Sequence, residues 1–139
     1  PRAPREEALA RLELVADSYL SVNTPVQRAL PELLEVGGEV RWRIRERVAH
    51  NRAALQQARP GDAPWDVLPA EGGWYAVLRL PRSLDEEETC LRLLDHGVVA
   101  QPGYFFDFAS GSHLVVSLLP PPEVFAEGAR RLADVLRLP

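Results

Sequence analysis

The hydrophobic period first changes at Arg59-Pro60-Gly61-Asp62-Ala63-Pro64. Before that loop, apolar residues recur every three or four positions. After it, alternating or short apolar runs bounded by Gly and Pro are interspersed with two further helical stretches. A 3.6-residue period buries one stripe of a helix, and a two-residue period buries one face of a strand. Three helices, a hairpin, a helix, two strands and a helix make segregated helices over a small, mainly antiparallel sheet, which is the pattern of an α+β domain.

Leu9, Leu12, Val15, Ala16 and Tyr19 predict an amphipathic helix over 5–19. Ser21-Val22-Asn23-Thr24-Pro25 interrupts it. Thr24 is placed to cap a second helix, with Pro25 first and Gln27 third, running to about Glu35 before Gly37-Gly38. A long helix from Glu39 to Ala58 follows, with Val40, Ile44, Val48 and Leu55 on one face and Arg41, Arg43, Arg45 and Arg47 on the rest. Glu39 and Glu46 among those arginines make it a solvated face, not a polyanion site.

Beyond the loop, Asp66-Val67-Leu68-Pro69 and Trp74 to Leu80 predict two strands around an Ala70-Glu71-Gly72-Gly73 turn. In the second, Tyr75, Val77 and Arg79 share one face, and Trp74, Ala76, Leu78 and Leu80 the other. Ser83 and Glu86 form a capping-box pattern, and Asp85, Glu86, Glu87 and Glu88 suit a helix N-terminus. Leu91 and Leu94 are expected to face the core, and Gly97 to end the helix. Val98 to Gln101 predicts a short strand, Tyr104-Phe105-Phe106-Asp107-Phe108 an aromatic loop, and His113 to Leu118 a final strand. Pro120-Pro121-Pro122 stops that strand. The last helix, Glu123 to Leu136, packs through Phe125, Ala129, Leu132 and Leu136, with a Glu127–Arg131 pair one turn apart.

The length of 139 residues suits one domain, and a net charge of −4 argues against nucleic acid as the main partner. No apolar run approaches the roughly 20 residues needed to span a bilayer. The single Cys90 excludes an internal disulfide and fits a reducing, cytoplasmic setting. His50, His96 and His113 lie far apart, so no metal-ligand spacing arises. No Gly-x-Ser-x-Gly elbow presents a nucleophile, Gly72-Gly73 is too short to cradle a phosphate, and Cys90 sits well inside a helix. All 16 basic residues are arginine, so no lysine amine can form a Schiff base with a carbonyl cofactor. The chain also contains no Met, and it is expected to be a piece of a longer protein.

Four segments, in order, resemble the C-terminal small domain of class I/II, fold-type-I aminotransferases that use pyridoxal phosphate. Tyr19-Leu20-Ser21-Val22-Asn23-Thr24-Pro25-Val26-Gln27 is similar to the stretch that follows the cofactor lysine. Pro69-Ala70-Glu71-Gly72-Gly73-Trp74-Tyr75-Ala76-Val77-Leu78 is similar to the family's P-x-G-G-x-Y/F hairpin. Gly97-Val98-Val99-Ala100-Gln101-Pro102-Gly103-Tyr104-Phe105-Phe106 resembles its G-V-x-V-x-P-G-x-x-F loop, which closes over substrate. His113-Leu114-Val115-Val116-Ser117-Leu118 resembles its Y-L-R-L-S-F strand.

That resemblance implies residues 1–24 as a lead-in helix and linker from a missing large domain, and 25–139 as the small domain. It implies pyridoxal phosphate in the full-length protein and none held by this chain, a small-molecule amino donor and acceptor, and a homodimer. It implies substrate-side residues Tyr104, Phe105, Phe106 and Asn23. It also places Val115 where the family has the Arg that binds the substrate α-carboxylate, and Asp107 where it usually has Gly. The resemblance therefore implies transfer of an amino group from a donor to a 2-oxo acid or related carbonyl, with this chain as the substrate-side wall and inactive alone. The competing reading is a non-catalytic α+β module for ligand binding or dimerisation.

Overall fold

A computed structural model describes residues 4–19, 22–108 and 110–137. The chain divides into two compact units, Pro1–Val40 and Arg41–Pro139.

The first unit contains α1 (Arg5–Ser18), α2 (Thr24–Val36) and the start of α3 (Gly38–Ala58). Neither α1 nor α2 has a buried residue. Leu20 and Ser21, within the expected linker, lie outside the described residues. The cap of α2 is Asn23, not Thr24: Asn23 has extended backbone, and its side-chain oxygen accepts the Val26 N–H at 3.1 Å. Thr24 is thereby the first helical residue, and Pro25 still falls in the first turn, where no N–H is needed.

Only the C-terminal half of α3 packs. Val40 and Ile44, expected on its apolar face, are exposed, whereas Asn51 and Leu55 are buried and Val48 lies against the core. The Asn51 amide donates to the carbonyls of Leu118 and Pro120, both at 2.9 Å, and ties α3 to the chain leaving the sheet. The following loop winds around Arg59. Its guanidinium donates to the carbonyls of Trp65 and Ala63 and to the Asp66 carboxylate, and lies 5.9 Å from the Trp65 ring.

The sheet has four antiparallel strands, β1 (Asp66–Val67), β2 (Tyr75–Leu80), β3 (Gln101–Pro102) and β4 (Ser112–Ser117), in the order β1-β2-β4-β3. The α+β architecture and the hairpin of β1 and β2 match expectation. Ala76, Leu78 and Leu80 are buried as the alternation requires, but Trp74 stays about half exposed. β3 starts later than expected. Gly97 turns at φ 73°, its N–H bonds Leu94, and the Val98 N–H bonds Leu93. Val98 thus completes the helix-terminating motif of α4 (Glu86–Asp95) before any strand can begin. Pro102 enters the ladder because β3 is an edge strand, where a missing N–H can face away from the sheet.

The α4 cap also differs from expectation. Asp85, not Ser83, accepts an N–H, from Glu88 at 2.9 Å. The buried face differs from expectation too: Thr89 and Leu93 are buried, while Leu91 and Leu94 are exposed. The last helix, α5 (Pro122–Val135), packs as expected through Phe125, Ala129, Leu132 and the adjoining Leu136. Arg131 meets Glu127 at 2.8 Å. The core lies on one side of the sheet, where Ala76, Leu78, Leu114 and Val116 meet Leu93 of α4 and Leu132 of α5.

Candidate functional site

Strand alternation sends every second side chain to the opposite side of the sheet. Leu114 and Val116 point into the core, so Val115 points to the far face. It stands directly across from Val77 on β2 and from Gln101 on β3. On that same face, Tyr75 and Ser117 form the next cross-strand pair in one direction along the strands, and Arg79 and His113 the next pair in the other. Val115 is only 3% exposed although it lies away from the main core.

An aromatic turn flanks this face. Gly103–Phe106 is a 3-10 turn, ended by Asp107 in the left-handed region at φ 54°. Asp tolerates that backbone better than most residues with a Cβ, so the position keeps a conformation that glycine adopts freely. The Phe106 ring lies 6.3 Å from Tyr75, and the Phe108 ring stacks on His113 at 4.5 Å. Tyr104 and Phe105 pack edge-on to each other at 4.8 Å. The Tyr104 hydroxyl is held above its ordinary pKa by desolvation first, then by the nearby Glu87 and Cys90 of α4.

The residues singled out from sequence thus divide into three groups. Phe106 sits beside Tyr75, on the face that carries Val115. Tyr104 and Phe105 are exposed, with Tyr104 turned toward α4. Asn23 belongs to the Pro1–Val40 unit and serves as the α2 cap. Three residues meet around the aromatic turn through contacts that their local motifs do not predict: Tyr75, Glu86 and His113. The sequence places Tyr75 in the hairpin motif and on the outward face of its strand, but not beside Phe106. Glu86 accepts the backbone N–H of Tyr104 at 2.8 Å and of His113 at 2.5 Å, contacts between segments that are remote in sequence.

A cleft of about 510 Å³ is lined by Tyr75 together with Arg45, Arg52, Glu71 and Gly73. Arg52 donates to the Leu68 carbonyl at 2.8 Å, and Arg79 to the Asp66 carboxylate at 2.7 Å. The Arg79 hydrogen bond is the main reason that the Asp66 pKa is lowered. Neither arginine stands at the position of Val115. Among the described residues, no three His, Cys, Asp or Glu side chains could share a metal ion, and no helix is long and apolar enough to cross a membrane.

No family model matches this sequence, and no curated protein does. Solved structures do. An alpha-aminoadipate aminotransferase from Thermus thermophilus, complexed with N-(5'-phosphopyridoxyl)-L-leucine, matches with TM-score 0.69 and 29% identity over 94% of this chain and 36% of that one. A probable N-succinyldiaminopimelate aminotransferase, also from Thermus thermophilus, matches with TM-score 0.69 and 31% identity over 94% of this chain and 35% of that one. The fold is that of the aminotransferase C-terminal small domain. A kynurenine aminotransferase from Pyrococcus horikoshii shares this small-domain fold at TM-score 0.71 and 20% identity, over 94% of this chain and 34% of that one. The chain therefore spans about a third of the length of the aminotransferases it matches.

Proposed function

We propose that this chain is the C-terminal small domain of a pyridoxal-phosphate-dependent aminotransferase that moves an amino group from a donor to a 2-oxo acid or related carbonyl. The observation that carries this reading is likeness to two aminotransferases, at 29% and 31% identity, over 94% of the chain. In this reading residues 1–24 lead in from a large domain, 25–139 form the small domain, and the parent is a cytoplasmic homodimer.

The residues of this chain do not fit the cofactor's covalent attachment, because the chain has no lysine. Attachment belongs to the rest of the parent. What this domain contributes is a wall: the outward face with Tyr75, Val77 and Val115, flanked by the aromatic turn. Such a surface excludes water and shapes the space beside the reacting amine.

Val115 determines what that wall can recognise. A valine side chain offers no donor to a carboxylate, whereas an arginine at the same point would offer a planar fork of two N–H bonds. Carboxylate recognition, if the donor has one, falls to an arginine elsewhere in the parent.

The test is the visible absorbance of the natural-length protein with pyridoxal phosphate, followed as single amino donors are added. Spectral conversion by α-amino acids would mean that another residue replaces the missing arginine. Conversion only by amines without an α-carboxylate would make Val115 a specificity determinant. Failure to hold the cofactor at all would sink the aminotransferase reading and favour a non-catalytic binding or dimerisation module.

A further inference from the structure

Glu86 sits in the first turn of α4, yet it does not cap that helix, because Asp85 already does. Its carboxylate reaches away from the helix to two other segments. Oε2 accepts the Tyr104 N–H at 2.8 Å, and Oε1 accepts the His113 N–H at 2.5 Å. Tyr104 lies in the aromatic turn, and His113 lies in β4 on the same face as Val115. Gly103 makes the close approach possible. A Cβ there would stand 2.7 Å from His113 Cβ and 2.8 Å from Glu86 Oε1, too near for any other residue without displacement.

Hydrogen bonds to an ionised carboxylate are shorter and roughly twice as strong as neutral ones. Two such bonds, one from each segment, set the spacing between turn and strand. The same turn carries Phe106 to its place beside Tyr75. A shift at the Glu86 end would therefore move the aromatic flank of the site without touching the core on the opposite face of the sheet.

We propose that Glu86 is a positioning residue: its carboxylate clamps the turn Gly103–Phe106 to the start of β4 and so sets how tightly the site holds its amino donor. This rests on the aminotransferase reading above. The test uses the natural-length protein with Glu86→Gln, which keeps one acceptor and loses the other, and with Gly103→Ala, which forces the same spacing open while leaving Glu86 intact.

Amide hydrogen exchange reads the clamp without substrate. In Glu86→Gln, exchange at Tyr104 and His113 should rise at least about tenfold, while Leu78 and Leu114 in the core stay protected. In steady-state kinetics both variants should raise KM for the amino donor about tenfold with kcat changed less than about twofold, the mark of lost uniform binding. Unchanged exchange at Tyr104 overturns the clamp. Faster exchange with unchanged KM, or a general loss of core protection, overturns the positioning role. Absence of aminotransfer by the unmutated protein overturns the functional reading instead, and the exchange result separates that failure from a failure of the clamp.

Discussion

Glu127 accepts from both Arg130, at 2.7 Å, and Arg131, at 2.8 Å. The Arg130 bond first, then the Arg131 bond, holds its carboxyl down at about 2. A carboxyl whose folded-state pKa is depressed stabilises the fold above its unfolded pKa and loses that contribution as pH falls through the folded value. The contribution of Glu127 is therefore present above about pH 4.5 and lost toward pH 2. The pair is exposed, so the effect is small. In urea titrations, the stability difference between the unmutated chain and Glu127→Gln should shrink between those two values; a difference that grows there would contradict the ion pair. Cys90 shows the opposite environment. Burial first, then Glu86 and Glu87, push its thiol up to about 11. At pH 8 its alkylation should be about a hundredfold slower in the folded chain than in urea, as two pKa units remove that much thiolate. Equal rates by mass spectrometry would mean that the thiol is open and unperturbed. The two residues mark where local reading succeeds and where it stops. The Glu127–Arg131 pair follows from helix spacing alone, whereas the raised thiol depends on what folds over it.

At the scale of elements, α4 is the most instructive. Ser83 and Glu86 satisfy a capping-box spacing, and so do Asp85 and Glu88. Local chemistry does not choose between the two registers. The structure takes the second, and the helix buries Thr89 and Leu93 while leaving Leu91 and Leu94 outside. The consequence is measurable. Leu93→Ala should cost about 2–5 kcal/mol, as large-to-small changes at fully buried sites do. Leu91→Ala should cost within about 0.5 kcal/mol, as most exposed substitutions do. Urea denaturation of the two variants decides which face is buried, and the reverse order would restore the buried face expected from sequence. The late start of β3 has a similar origin: Gly97 and Val98 are taken up in closing α4, so the apolar run Val98-Val99 never joins the sheet.

At the scale of the whole molecule, every buried residue among those described lies between Asn51 and Leu136. Most of the core comes from the sheet with α4 and α5, within the Arg41–Pro139 unit. A chain beginning at Gly38 should therefore keep its cooperative unfolding, with Tm lowered by less than about 8 °C, the shift expected for a loss of about 1 kcal/mol in a domain of this size. Loss of the thermal transition would show that the first unit is required for the core to form. The order of helices and strands, the hairpin, the faces of β2 and the packing residues of α5 were determined by sequence alone, because hydrophobic period and turn chemistry act over a few residues. The cap of α4, the edge pairing of β3, the gathering of Phe106 with Tyr75 and the reach of Glu86 to Tyr104 and His113 were decided only by tertiary structure. Each depends on which remote segment a side chain meets once the sheet has closed, and no local period carries that information.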